Sequence, residues 1–264
     1  MSESKQRWRI VFARDDDARF LSHLDAIHLW ERAFRRGEIP VATTEGFSPR
    51  SRLVFAAPLP LGMLAEHELA DLFLAERLTR RDLRTRLADG MPRGYRIVDM
   101  NDEWVGAPAV ATRLVAADYR MTLLGVAADT LEGATRSLLA ADTLRREKRR
   151  EKKVTAYDLR PLLLDLAVRP PDADGTAGAP DLAAGLWMRL RNSQDLGSGR
   201  ADEVVAAIAE HLGTAVIAAP GAGEADAGGE TESGESTECT PGRPALEMVR
   251  PVRERLWLSG ELAL

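Results

Sequence analysis

The sequence of 264 residues is poor in cysteine, in aromatic side chains and in long apolar runs. Its single cysteine, Cys239, excludes an intramolecular disulfide, a cysteine-rich zinc site and an iron–sulfur cluster held by three thiolates of this chain. No apolar run approaches the ~18–20 residues of a membrane-spanning helix, and the N-terminus lacks the apolar core of a signal peptide. We therefore expect a cytoplasmic protein without a cofactor of its own, whether cluster, zinc or cobalamin.

Charge is distributed unevenly along the chain. The formal net charge is −5, and residues 217–244 alone, with six acidic side chains and one arginine, account for all of it. Residues 145–153, by contrast, hold seven basic and two acidic side chains. Outside residues 217–244 the chain is therefore neutral overall, but it contains one dense basic run.

The order of apolar patterns predicts an α+β fold made of two ferredoxin-like lobes in tandem. Ser22 and Asp25 are typical of a helix start and Gly37 of a helix end. The elements predicted for the first lobe form a βαββαβ unit: a strand at 7–14, a helix at 22–36, strands at 52–57 and 68–75, a helix at 79–90 and a strand at 94–100.

The second half is predicted to repeat this order, so that the lobes span residues 7–104 and 116–258. Its elements are a strand at 119–124, a helix at 130–140, strands near 143–149, 160–168 and 187–191, a helix at 200–213, and one or two strands within 246–258. Two inserts, 169–183 and 216–244, hold too little apolar surface to offset their ordering entropy. We expect both to be mobile, and we expect removal of 217–244 to leave the fold intact.

The first helix is predicted to carry a cationic face. Arg32, Arg35 and Arg36 follow its polar side, opposite the apolar stripe. A guanidinium group binds two oxygens of a phosphate or carboxylate at once, so this face is a candidate anion site. The alternative is an ordinary solvated helix face.

A loop rich in glycine and proline follows the helix. Glu45, Phe47 and Arg50 combine a carboxylate, an aromatic ring and a guanidinium, which is the composition of a ligand-contacting loop. The loop is one short connection from the arginines, so we expect the two to be neighbours. Any tight loop, however, also uses glycine and proline.

His23 and His28 are weak candidates for general acid and base, because imidazole titrates near neutrality. No nucleophile order or metal-ligand spacing surrounds them. Asp25 is predicted to be a capping carboxylate rather than a catalytic one.

The basic run is a second candidate nucleic-acid site. Arg149, Arg150, Lys152 and Lys153, with Arg160 downstream, are too densely charged to be buried and could follow an RNA backbone. The alternative is a solvated hairpin tip.

The runs SHLD, RAFRRGEIPVA, EGFSPR and PLPLG within residues 20–62 resemble the N-terminal signature of the radical-SAM-linked protein family. This is a bacterial family whose members accompany, or are fused to, a B12-binding-type radical SAM protein. The resemblance extends more loosely over residues 7–212. It implies a radical SAM partner, and it implies no catalytic residues, because the family's own activity is unassigned.

Taken together, these observations predict an accessory protein, not catalytic alone, that binds tRNA or rRNA for a partner radical SAM modification enzyme. No membrane partner is expected. Two alternatives stay open: a metal-independent RNA-processing enzyme that uses His23 or His28, and a protein–protein adaptor whose arginines meet an acidic surface.

Overall fold

The computed structural model describes residues 4–44, 47, 49–150, 153–172, 182–217 and 245–262, with the side chains of 148–150 and 153 excepted. The chain divides into two compact units. Unit 1 is Met1–Ala116 together with Arg253–Leu264, and unit 2 is Ala117–Val252. Residues 253–258, which the sequence pattern assigns to the second lobe, thus belong to unit 1.

Unit 1 contains the predicted βαββαβ order, followed by one short helix. Its elements are β1 (Gln6–Arg14), α1 (His23–Arg36), β2 (Leu53–Phe55), β3 (Leu64–Leu74), α2 (Arg80–Gly90), β4 (Tyr95–Glu103) and α3 (Val110–Arg113).

The strand order of unit 1 is β4-β1-β3-β2, and every neighbouring pair is antiparallel. In the central strand, Ile10 lies opposite Ala70 of β3 and Met100 of β4. This is the strand order of a ferredoxin-like unit, in which the two helices connect strands that are not adjacent in the sheet.

The core of unit 1 is an aromatic cluster between the sheet and α1. Phe12 of β1 meets Trp30 of α1 edge to face, with 5.0 Å between ring centroids, and the Trp30 and Tyr95 centroids are 5.9 Å apart. Such pairs add about 0.5–1.5 kcal/mol beyond area burial. They fix α1 and the start of β4 relative to each other.

The start of α1 is fixed by a capping box. The Ser22 hydroxyl accepts a hydrogen bond from the Asp25 backbone N–H at 3.1 Å, and the Asp25 carboxylate accepts from the Ser22 backbone N–H at 3.2 Å. Each side chain accepts from a backbone N–H group that has no partner within the helix, and such a cap stabilises the folded protein by about 1 kcal/mol. The predicted capping role of Asp25 is confirmed.

A buried ionic network ties β1 and β3 to the segment before α3. Asp71 is fully buried and forms ion pairs with Arg7 and with Arg9, the latter at 3.0 Å. It also accepts a hydrogen bond from the Val110 backbone N–H at 2.9 Å. Arg7 donates to the carbonyl oxygen of Ala107 at 2.6 Å, so the network anchors the segment leading into α3.

Unit 2 has a helix–strand order similar to that of unit 1, with two additional short strands and a hairpin. Its elements are β5 (Leu114–Leu124, shared with unit 1), α4 (Ala128–Ala140), β6 (Arg145–Arg150), β7 (Lys153–Asp158), β8 (Leu163–Arg169), β9 (Ala183–Ser193), β10 (Gly197–Ser198), α5 (Ala201–Leu212), β11 (Ala215–Ile217) and β12 (Ala245–Leu258, also shared).

The strand order β8-β9-β5-β12 of unit 2 corresponds to the order β2-β3-β1-β4 of unit 1. β6 and β7 form a separate antiparallel hairpin, in which Arg146 lies opposite Tyr157. Gly213 ends α5 in a left-handed conformation, with φ of 67°, which glycine adopts without strain. The mixed α+β class is confirmed.

The structure differs from the sequence pattern at several elements. The strand predicted at 160–168 begins only at Leu163, because Pro161 lies in a 3₁₀ turn over Arg160–Leu162. In the C-terminal region, where one or two strands are predicted, the structure has one strand of 14 residues. The sequence pattern also misses β7, and it misses α3, β10 and β11, which have four residues or fewer each.

Most of the two predicted inserts, residues 173–181 and 218–244, lie outside the described residues, so their predicted mobility stays a prediction. Among the helices that the structure describes, none has the length and apolar character needed to cross a membrane.

Candidate functional site

The arginines predicted on α1 line a concave surface of unit 1. Arg32, Arg35 and Arg36 meet Arg93 around an open cleft of about 470 Å³, whose lining also includes the apolar side chains of Leu29 and Pro92. We call these six residues the arginine cleft. Arg93 comes from the loop before β4 and was not among the predicted site residues, because only the packing of α2 brings this loop to the end of α1.

Two glycines allow the close approach of helices that forms the cleft. A Cβ at Gly90 would overlap the carbonyl oxygen of Ala33, and a Cβ at Gly37 would overlap that of Arg86. Across the same contact, Arg36 donates a hydrogen bond to the Gly90 carbonyl oxygen at 2.7 Å. The side wall of the cleft is therefore fixed by backbone contacts.

The cleft is electropositive. Arg93 lies 4.0 Å from Asp17, a weak surface pair. Arg32 and Arg35 are exposed, and within the described part of the chain no salt bridge joins either to an acidic side chain. Their charges are therefore available to an external anion.

Asp25 and His28 lie one to two turns before these arginines on α1. Hydrogen bonds from Ser22 hold the pKa of Asp25 below its usual value, and the charges of His28 and Arg32 contribute less. His28 is exposed and lines neither the cleft nor the pocket described next. Its predicted catalytic role stays untested.

His23 occupies a different environment from His28. It lines a small pocket of about 20 Å³, together with Arg14, Glu68, Tyr95 and the rings of Phe12 and Phe55. We call this the His23 pocket. The His23 ring meets Phe55 edge to face at 5.5 Å, and burial lowers the pKa of His23.

Two of the residues that line the His23 pocket, Glu68 and Arg14, are buried ions. Glu68 and Arg253 are each 2% exposed and form a bidentate ion pair, one arm of which is 2.6 Å long. Arg14 is 3% exposed and donates to the carbonyl oxygens of Pro60 and Met63, each at 2.7 Å. Sequence patterns cannot assemble this site, because Arg14 and Glu68 are far apart in the sequence.

The predicted loop residues lie elsewhere. The loop is closed by the Thr44 N–H bonding to the Arg50 carbonyl oxygen at 2.9 Å. Phe47 and Arg50 are exposed, and neither lines the arginine cleft. Glu45 lies outside the described residues.

The predicted basic run forms the β6–β7 hairpin. Arg146 is not free for a ligand, because it donates to Glu203 at 3.0 Å and to Glu210 at 2.7 Å. Burial opposes the charged form of Arg146, but these two carboxylates raise its pKa. The side chains of Arg149, Arg150 and Lys153, and all of Lys152, lie outside what the structure describes.

The guanidinium group of Arg160 is hydrogen-bonded to backbone carbonyl oxygens. Its guanidinium donates to the carbonyl oxygens of Leu139 at 2.9 Å, Ala141 at 3.1 Å and Leu163 at 2.9 Å. Two of these carbonyls lie at the C-terminal end of α4, where a cation is favoured. Arg160 therefore caps that helix.

In the described ranges, no group of three or more His, Cys, Asp or Glu side chains is arranged to hold a metal ion. The surfaces that stand out are instead an open cationic cleft and a small polar pocket, both in unit 1.

The fold and these surfaces define a mixed α+β protein with a cationic cleft. By sequence, the chain belongs to the family described as "Uncharacterized protein conserved in bacteria (DUF2344)", which matches residues 7–195.

Two further comparisons add no function. A search of curated proteins gives no match. Among solved structures, the chain is similar to the crystal structure of an unknown protein from Galdieria sulphuraria, at 15% identity over 79% of this chain and 94% of that one, with a TM-score of 0.23.

Proposed function

We propose that this protein is a non-catalytic accessory that binds RNA, tRNA or rRNA, through the arginine cleft and presents it to a radical SAM modification enzyme. The observation that carries the proposal is the convergence of Arg32, Arg35, Arg36 and Arg93 on one concave surface. Phosphate contacts by arginine supply most of the sequence-independent affinity for nucleic acids.

The shape of the cleft favours a flexible strand. Leu29 and Pro92 provide apolar side chains on which a sugar or the face of a base can rest, while the surrounding guanidinium groups bind phosphate oxygens. Single-stranded RNA offers both kinds of group at one place, whereas a duplex buries its base faces.

The β6–β7 hairpin is proposed as a second, less selective contact. Replacing Arg149, Arg150, Lys152 and Lys153 with serine should lower the affinity similarly for unrelated RNA sequences, because these residues would contact only the backbone. Changes at Arg32, Arg36 or Phe47 should affect a preferred RNA more strongly. Equal effects of both sets on every RNA would contradict separate roles.

The radical SAM partner rests on the signature within residues 20–62. Affinity purification of the tagged protein from its own cells, with identification of bound protein and RNA, tests this part. Recovery of a radical SAM protein together with RNA supports the accessory role. Recovery of that protein without RNA favours the alternative of a protein–protein adaptor.

RNA binding itself is tested by fluorescence anisotropy with a labelled single-stranded RNA. The double variant Arg32→Ser/Arg35→Ser should bind about tenfold or more weakly, since a hydrogen bond to a charged group contributes roughly 1.5–3 kcal/mol. The matched control is Arg77→Ser/Arg81→Ser, which also removes two exposed arginines of unit 1 but leaves the cleft lining unchanged. Equal losses in both double variants would reject the cleft as the binding site.

A second candidate function is favoured by the environment of His23. A half-buried imidazole beside Tyr95 and Arg14 is the kind of group that acts as a general base in RNA cleavage. Discrete RNA cleavage by the purified protein, abolished in His23→Ala and retained in His28→Ala, would replace the accessory role with a processing activity.

A further inference from the structure

The face of the unit 1 sheet opposite α1 and α2 forms a further cleft. Ile10 of β1 belongs to the core that these helices cover, so its neighbours Arg9 and Val11 lie on the opposite face. There Val11 lies opposite Leu69 of β3, and Arg9 lies opposite Asn101 of β4. These four residues line a cleft of about 440 Å³, which we call the sheet cleft.

The walls of the sheet cleft come from α3 and from the C-terminal residues of unit 1. Arg113 ends α3, and Arg255 and Glu261 follow in the segment 253–264. All of the lining residues belong to unit 1, so one compact unit forms the whole cleft. Its volume is within the range of roughly 300–1,000 Å³ that is typical of sites for small molecules.

The carboxylates of the lining already have partners. Glu103 lies 3.4 Å from Arg9, which also pairs with the buried Asp71 at 3.0 Å. Glu261 accepts a hydrogen bond from the Leu258 backbone N–H at 3.1 Å. The charge of Arg9 is therefore balanced within the fold.

Arg113 and Arg255 are the cations of the sheet cleft that remain. Within the ranges that the structure describes, no salt bridge joins either of them to an acidic side chain. Arg113 donates to the Ser259 carbonyl oxygen at 3.2 Å, which occupies only part of its five N–H groups. Arg255 stacks over the Trp257 ring, 4.0 Å from its centroid, and stacking leaves the edge of a guanidinium available. Both can therefore donate to the oxygens of an anion in the cleft.

His67 adds a hydrogen-bonding group with a defined tautomer. Its Nδ1 lies 3.2 Å from the carbonyl oxygen of Glu254, and a carbonyl oxygen only accepts, so Nδ1 carries the proton. In the neutral ring Nε2 is then an acceptor for a hydroxyl or amino group. The cleft thus offers cations for an anionic head group, and both polar and apolar side chains for the rest of a ligand.

We propose that the sheet cleft binds a small organic anion, no larger than a nucleoside monophosphate, whose phosphate or carboxylate lies between Arg113 and Arg255. The uncharged part of this ligand rests on Val11 and Leu69 and hydrogen-bonds to the His67 ring. The proposal does not depend on RNA binding at the arginine cleft.

The test follows the four histidine rings of the full-length protein by NMR during titration with AMP, with adenosine and with succinate. Among the four, His67 is the one that lines the sheet cleft. Its ring signals should shift to saturation with AMP, with succinate or with both, and the anion that binds identifies the head group. Adenosine, which lacks the phosphate, should leave them unchanged.

The double variant Arg113→Gln/Arg255→Gln should weaken binding of that anion about tenfold or more. The matched control is Arg77→Gln/Arg81→Gln, which removes the same charge from exposed positions of unit 1 outside the cleft and should leave the affinity unchanged. If the first double variant does not fold, the single variant Arg255→Gln decides, because Arg255 is exposed.

AMP can also bind at the arginine cleft, so the titration is repeated in Arg32→Ser/Arg35→Ser. The response of His67 should be unchanged there, whatever that variant does to RNA binding, so the two proposals can fail separately. The proposal is wrong if His67 responds to neither anion or responds equally to adenosine. Wild-type affinity in a folded Arg255→Gln protein would also overturn it.

Discussion

Replacement of Asp71 by asparagine tests the buried ionic network of unit 1. Asp71 is fully buried and accepts from Arg7, from Arg9 at 3.0 Å and from the Val110 N–H at 2.9 Å. The amide keeps the shape of the side chain but loses its charge, so two arginines that are each less than a tenth exposed would remain without that carboxylate.

Removing one partner of a buried ion pair typically costs about 3–5 kcal/mol. Arg9 also lies 3.4 Å from Glu103, which offsets part of that cost, so we expect a loss near the lower value of about 3 kcal/mol. In urea denaturation this appears as a lower midpoint with an unchanged slope.

The matched control is Asp99→Asn. Asp99 pairs with Arg80 on the surface of the same unit, where both side chains are about half exposed, and such pairs contribute about 0–1 kcal/mol. Similar small losses in both variants would show that Asp71 does not hold β1, β3 and the α3 segment together.

Two further changes test the ends and contacts of helices. Gly90→Ala should destabilise unit 1, because the added Cβ would overlap the Ala33 carbonyl oxygen. The control Gly133→Ala adds a Cβ that meets no atom within 4 Å, and it should stabilise α4 by roughly 0.5–1 kcal/mol. Equal shifts of the melting temperature in the two variants would contradict the close approach of the helices. Ser22→Ala should cost about 1 kcal/mol at neutral pH. Because hydrogen bonds from Ser22 depress the folded-state pKa of Asp25, this contribution is present above the unfolded value near 4 and is lost as pH falls through the folded pKa. A loss in Ser22→Ala that is independent of pH would contradict the coupling.

Local signals explain why much of unit 1 could be predicted. The start of α1 depends on Ser22 and Asp25, which are three residues apart, and the apolar residues of β1 recur with a period of two in the sequence. Such signals lie within a few residues of the elements they define, so no tertiary information is needed.

Burial of charge could not be predicted in the same way. Arg7 and Arg9 occupy the polar positions of β1, which a sequence pattern assigns to solvent, yet both are buried because the carbonyls of Ala107 and Pro108 and the carboxylate of Asp71 cover them. These partners are 62 to 101 residues away in sequence. Only the tertiary fold brings them together.

The candidate surfaces also contain some residues that local sequence signals predict and others that only the tertiary fold brings together. Arg32, Arg35 and Arg36 could be placed on one helix because helical spacing is a local property. Arg93 joins them, and Tyr95 joins His23, only through the packing of α2 and β4 against α1.

The most direct test of the central proposal is the salt dependence of RNA binding. For single-stranded RNA, the logarithm of the association constant should fall with the logarithm of salt concentration by about 0.7 for each phosphate contact. If Arg32, Arg35 and Arg93 each contact a phosphate, the triple serine variant should reduce the steepness by about 2 relative to the wild type. An unchanged slope in a folded triple variant would show that the arginine cleft does not bind RNA.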